Sequence, residues 1–149
     1  MIKDGGQYYL FYTAFSLRGA VIGLATSQNP AGPWNDLGPV AFTSFGQTAL
    51  ESPAIYAREG WFYLFYNHVN YGEEYQVSQS LTGPWSPGGI LTPGWAHEIW
   101  TGRDGLTYTS YLTDYTVTIS PLAWDAYLTP SRPMIGGYSS PLLLPLMFK

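Results

Sequence analysis

Unbroken aromatic and apolar runs, each announced by an acidic residue and a glycine, recur along this chain. Asp4-Gly5-Gly6 leads into Gln7-Tyr8-Tyr9-Leu10-Phe11-Tyr12, and Glu59-Gly60 leads into Trp61-Phe62-Tyr63-Leu64-Phe65-Tyr66. A weaker copy runs from Asp104-Gly105 through Leu106-Thr107-Tyr108-Thr109-Ser110-Tyr111. The acid-glycine pair is a tight hairpin signal. Apolar runs without polar alternation predict strands buried on both faces. The Tyr-Leu-Phe-Tyr cores at 9–12 and 63–66 are identical and lie 54 residues apart.

A second motif repeats downstream. Ser27-Gln28-Asn29-Pro30-Ala31-Gly32-Pro33-Trp34 matches Ser78-Gln79-Ser80-Leu81-Thr82-Gly83-Pro84-Trp85 at five of eight places, 51 residues apart. Ser120-Pro121-Leu122-Ala123-Trp124 reads as a shortened third version. A period near 50 residues with several short strands per unit is the signature of propeller blades. The predicted strands are 7–13, 20–27 and 38–42 in the first unit. In the second they are 53–58, 61–67, 74–80 and 89–91. In the third they are 97–103, 106–112 and 115–120, with 123–128 as a fourth candidate.

The expected fold is therefore all-β: about three blades of a β-propeller, four antiparallel strands to a blade. Residues 1–46 form a blade lacking its inner strand, 47–93 a complete blade, 94–128 a third, and 129–149 an irregular apolar tail. Three blades fall short of the four to eight that close a ring. An open stack leaves strand edges and blade faces bare. The chain is thus expected to be a piece of a larger propeller, starting inside a blade, or a homo-oligomer that covers those edges. The tail is expected to lie on a bare edge or a partner, or else to be a non-homologous end.

Composition narrows the function classes. Charged residues are 11% of the 149, against about 25% in an ordinary soluble domain. Aromatic residues are 17%, with 17 Gly and 12 Pro, which argues against both disorder and a helical bundle. A net charge of −4 with six scattered Lys and Arg excludes a nucleic-acid footprint, which needs clustered cations. With no cysteine and two histidines, disulfides, thiol catalysis and a zinc site are all out of reach. The N-terminus shows no apolar stretch of signal-peptide length. The tract Leu142 to Phe148 is too short to span a bilayer and holds Pro145, so no membrane partner is expected.

Several of these residues occur in a familiar order. The acid-glycine hairpin with Tyr8-Tyr9-Leu10-Phe11-Tyr12 is followed by Ile22-Gly23-Leu24-Ala25-Thr26-Ser27 and Gly32-Pro33-Trp34. Then come Glu51-Ser52-Pro53 and a strand opening at His97. Over residues 2–128 the chain resembles the five-bladed β-propeller glycoside hydrolases, the superfamily of glycoside hydrolase families 43 and 32. The resemblance implies a carbohydrate substrate or ligand and makes Glu51, in the Glu-x-Pro motif, the general acid. That role needs a carboxyl still protonated near neutral pH, able to donate to the leaving oxygen.

The chain also departs from the family pattern. The Asp-containing N-terminal motif and the Arg-Asp-Pro strand opening that supply the other two acids have no counterpart here. Asp4, Glu59 and Asp104 occupy hairpin turns at the opposite rim and are expected to be solvated. One carboxyl cannot serve as both acid and base, which must stand about 5 Å or 6.5–9.5 Å apart. The alternative is a catalytically inactive carbohydrate-binding or structural fragment.

Topology selects candidate sugar contacts. Connections between second and third strands return to the mouth where Glu51 lies, which nominates Arg18, Asn67, His68 and Tyr71. His97, near the start of the third inner strand, is nominated for the axial pocket, since alternation turns His97 and Glu98 to opposite sides. No cofactor is expected from the residues themselves; the resemblance adds only a calcium ion held through water near His97.

Overall fold

The computed structural model describes residues 1–16, 19–42, 50–68, 72–125 and 127–136, and all regular structure among them is β. The first sheet holds β1 (Ile2–Asp4), β2 (Gln7–Ser16), β3 (Gly19–Ser27) and β4 (Asn35–Phe42). The second holds β5 (Leu50–Arg58), β6 (Trp61–His68), β7 (Gly72–Ser78) and β8 (Ser86–Leu91). The third holds β9 (Trp95–Thr101), β10 (Thr107–Thr113), β11 (Thr116–Asp125) and β12 (Arg132–Ile135). Each is an antiparallel meander in chain order, which is the blade of a β-propeller. The chain is a partial β-propeller of three blades.

The first two blades end in the same turn for the same reason. In each, a serine hydroxyl closes the bend: Ser27 Oγ accepts from the Asn29 N–H (3.1 Å), and Ser78 Oγ from the Ser80 N–H (3.0 Å). Gly32 and Gly83 then take φ of +90° and +85°. A Cβ at either position would stand 3.0 Å from the Trp34 or Trp85 indole, so only glycine fits. The third unit has no glycine at that point. Ser120 to Trp124 therefore stay extended within β11, where the sequence pattern suggests two strands.

The fourth strand of that blade comes later, as β12, from residues assigned to the irregular tail. It is held by the pairs Ala123↔Met134 and Trp124↔Pro133. At the other end, β1 supplies a three-residue inner strand where the pattern suggests none, pairing Lys3 with Tyr8.

Blades stack face to face through two apolar layers. Phe11, Ile22, Leu24, Leu50, Leu64 and Tyr66 fill the layer between blades one and two. Ala54, Tyr63, Phe65, Tyr75, Leu91 and Leu122 fill the layer between blades two and three. Strand β6 serves both, because alternate residues point to opposite faces. Leu64 and Phe65 are both wholly buried, yet they point opposite ways. This explains the unbroken apolar run. Each such side chain contributes about 1.5–3 kcal/mol by leaving water.

Aromatic geometry and polar stitches fix how the second and third blades meet. Trp124 stacks on Tyr56 at 5.6 Å and meets Tyr63 edge-on at 4.9 Å. The Arg58 guanidinium lies 5.0 Å above the Trp124 ring. The Tyr63 hydroxyl donates to the Ser131 carbonyl (2.8 Å), and the Ser131 hydroxyl donates to Glu59 (3.1 Å). Glu59 is exposed, as its turn position leads one to expect, and also pairs with Arg58 at 2.7 Å.

The outer face of the third blade has no such cover among the described residues. Strand pairing puts Trp100, Leu112, Val117, Ile119 and Met134 on that one face. All five are exposed, Val117 and Ile119 by about two thirds.

The glycine turn gives a direct test of blade closure. Gly83→Ala places a Cβ at positive φ against Trp85, a strain of about 1–3 kcal/mol. The melting temperature is expected to fall by several degrees in thermal unfolding followed by circular dichroism, whereas Gly60→Asn, at a turn with nothing near the missing Cβ, changes it little.

Candidate functional site

Glu51 is the second residue of β5, at the mouth of the blade. The ladder to β6 slips there by one residue: Glu51 faces Asn67, whereas the next pair is Ala54 with Phe65. The bulge places Ser52 at φ +55°, in the left-handed region. Such a backbone costs about 1–3 kcal/mol and re-aims the side chains beside it. The same irregularity recurs in the third blade. Trp95 faces Leu112, the next pair is Glu98 with Ser110, and Ala96 sits at φ +56°. Counted through these bulges, the counterpart of Glu51 is Trp95, and His97 corresponds to Pro53.

Pairing extends Glu51 into a row across the blade. Glu51 faces Asn67, Asn67 faces Glu73, and Glu73 faces Leu91. Partners in an antiparallel sheet share a face, and this face is the one turned to the third blade, where Leu91 joins the apolar layer. Asn67 and Glu73 are wholly buried. The Asn67 Oδ1 accepts the backbone N–H of Ala96 at 3.0 Å, tying the mouths of the two blades together. The Asn67 Nδ2 completes no hydrogen bond, and the Glu73 carboxyl is met by the His97 backbone N–H.

Burial pushes the Glu73 carboxyl up to about 9. The His97 backbone N–H faces it and offsets part of that rise, while the negative charge of Glu98 adds to it. Glu73 is therefore a neutral acid at pH 7. Sequence reasoning nominated Asn67, His68 and Tyr71 from this connection without singling out Glu73. The available signal was the pair Glu73-Glu74 at the start of a strand between buried neighbours: alternation sends one of two adjacent acids inward.

The structure brings Glu51 and Asn67 directly together. His68, one residue on, turns to the opposite face, pairing with Leu50 and Gly72, and its imidazole lies 3.6 Å from the Glu74 carboxylate. Arg18 and Tyr71 lie outside the described residues. His97 is buried and stacked on Tyr111 at 4.8 Å. Its Nδ1 meets the Thr109 hydroxyl at 2.9 Å and its Nε2 the Pro93 carbonyl at 3.1 Å. Burial lowers its pKa to about 4, the Pro93 carbonyl working weakly the other way, so the ring is neutral at pH 7.

Both ring nitrogens of His97 thus have hydrogen-bond partners. Among the described residues no group of three His, Asp or Glu side chains converges as a metal site. Asp104, at its hairpin turn, is exposed and accepts the Tyr108 hydroxyl at 2.6 Å, which holds its carboxyl below the usual range. A groove of about 540 Å³, lined by Gln7, Ser27, Gln28, Asn29 and Asn35, lies at the glycine turn of the first blade and includes none of the candidate residues.

No protein-family model and no curated protein matches the sequence. Solved structures do match the fold. An α-L-arabinofuranosidase from Clostridium thermocellum superposes with a TM-score of 0.63 at 21% identity, covering 82% of this chain and 49% of the other. An endo-arabinase from Bacteroides thetaiotaomicron gives 0.65 at 21%, covering 79% and 46%. A family 117 glycoside hydrolase from Zobellia galactanivorans gives 0.65 at 18%, covering 89% and 52%. The chain spans about half the length of these proteins and shares the blade fold of glycoside hydrolases.

The buried acid makes stability depend on pH in a definite direction. A folded-state pKa near 9, against the ordinary 4.5, means the folded chain holds a proton that the unfolded chain gives up. Its contribution is fully present below pH 4.5 and declines by up to about 1.4 kcal/mol per pH unit until about pH 9. His97 acts oppositely: its depressed pKa costs stability only as pH falls from 6.5 towards 4. The window from pH 6.5 to 9 therefore isolates Glu73. Urea unfolding of Glu73→Gln at pH 6.5 and pH 8.5 is expected to show a variant whose advantage over wild type widens by more than 1 kcal/mol. A constant gap would place the carboxyl outside the buried row.

Proposed function

We propose that this chain forms the acid-bearing half of a carbohydrate-acting propeller, a glycoside hydrolase in which Glu51 is the general acid. The observation that carries the reading is the placement of Glu51 at a strained bulge on the blade mouth, in one row with Asn67. The blade fold shared with arabinan-cleaving and other glycoside hydrolases supports it.

In this reading Glu51 donates its proton to the glycosidic oxygen as the bond to the sugar breaks, and sugar hydroxyls meet His68, Tyr71 and Arg18, while the buried Asn67 and His97 hold the blade mouths from behind. The carboxylate that attacks the sugar or activates water comes from a blade other than these three. It must stand about 5 Å from Glu51 in a retaining site or 6.5–9.5 Å in an inverting one. The exposed apolar face of the third blade supports cover by a partner, and a second copy of the chain is proposed for that cover; it brings no further carboxylate, which a blade of different sequence must supply.

Two measurements test this. Aryl arabinofuranoside, xyloside, fructoside and galactoside hydrolysis is expected to fall at least about 100-fold in Glu51→Gln, the usual scale of a lost general acid. Activity that survives the substitution removes Glu51 from the role. Absence of turnover with every substrate, together with measurable oligosaccharide binding, supports the inactive carbohydrate-binding reading instead. Sedimentation equilibrium is expected to give a multiple of 16.5 kDa, and a stable monomer would sink the assembly.

A further inference from the structure

We propose that Glu73 is a positioning residue that acts on Glu51 through Asn67, by accepting a hydrogen bond that fixes the Asn67 amide. The proposal rests on the reading of Glu51 as the acid. It begins from an anomaly. A buried polar group without a partner costs about 1–3 kcal/mol, and the Asn67 Nδ2 is one, while its cross-strand neighbour in the wholly buried row, the Glu73 carboxyl, meets the His97 backbone N–H and has acceptor capacity to spare. Leu91, the next residue in that row, shows that an apolar side chain is accommodated on this face.

The orientation of the Asn67 amide is dictated by chemistry. Ala96 offers an N–H, so Oδ1 must face it, and Nδ2 is left turned away from Ala96 as a donor. Directly opposed residues have Cβ atoms about 4.5–5.5 Å apart, which puts the Glu73 carbonyl oxygen within reach of that donor by rotation of its side chain or across one shared water. A neutral carboxyl completes the set: its carbonyl oxygen accepts from Nδ2, and its hydroxyl remains a donor. Asn67 is then held from both ends, and Ala96, at its strained φ, is held by Asn67. Because Glu51 is the other cross-strand neighbour of Asn67, the same clamp sets how the mouth of β5 stands against the mouth of β9. Glu73 touches no substrate; it keeps Glu51 in register.

Amide hydrogen exchange at Ala96 in the 149-residue chain reads this clamp directly. Glu73→Leu and Glu73→Ala are each expected to speed Ala96 exchange by about tenfold, the equivalent of one hydrogen bond, while the Tyr63 and Phe65 amides keep their protection. Glu73→Gln, whose side-chain carbonyl still accepts from Nδ2, is expected to stay within about threefold of wild type. Unchanged exchange in the Leu and Ala variants, or a Gln variant as fast as they are, overturns the proposal. Where Glu51-dependent hydrolysis is measurable, Glu73→Leu lowers kcat with KM little changed, and Gln restores it. If Glu51→Gln has no effect on hydrolysis, the catalytic reading falls by itself, and the Ala96 exchange still decides whether Glu73 fixes Asn67.

Discussion

A four-stranded blade with aromatic residues on both faces cannot stand alone in water, and every other feature of this chain follows from that. The second blade resolves it by being covered on each side, which is why adjacent residues of β6 disappear into two different layers. The same stacking traps whatever lies at the blade mouth. Asn67 and Glu73 are buried because the third blade is pressed over them, so the strength of the apolar layer sets the cost of the polar row. The strained φ values at Ser52 and Ala96 are sustained by the same packing.

Much of this was legible in the sequence, for reasons that differ by element. Acid-glycine hairpins and aromatic runs are local signals, and the three second strands fall where they predict. The glycine-proline-tryptophan turn was equally clear, because one residue with no Cβ is needed at each of Gly32 and Gly83. The third blade was harder. Trp124 invites comparison with Trp34 and Trp85, yet without a glycine before Pro121 it belongs to a strand and packs between Tyr56 and Tyr63. Strand β12 carries no periodicity of its own; only its partner β11 makes it a strand.

The candidate site divides in the same way. Glu51 and Asn67 could be placed together by counting strands from the hairpin. The register of the third inner strand could not, because a bulge shifts the count: Trp95, and not His97, stands where Glu51 stands one blade earlier. The buried state of Glu73 depends on a neighbouring blade, and no pattern within its own strand reveals such a neighbour. The result is an interface in which a carboxyl and an imidazole both sit uncharged at neutral pH. That suits a chain with few charges to spare for compensation.

The paired bulges have one further meaning. Two blades of unlike sequence, one carrying Glu-Ser-Pro-Ala and the other Trp-Ala-His-Glu, bend their inner strands at the same step and with nearly the same φ. The backbone thus offers the same socket at these two blade mouths, and what fills it is interchangeable: a carboxyl in one, an indole in the next. Chemistry on such a scaffold can migrate around the axis by single substitutions, with the architecture left untouched.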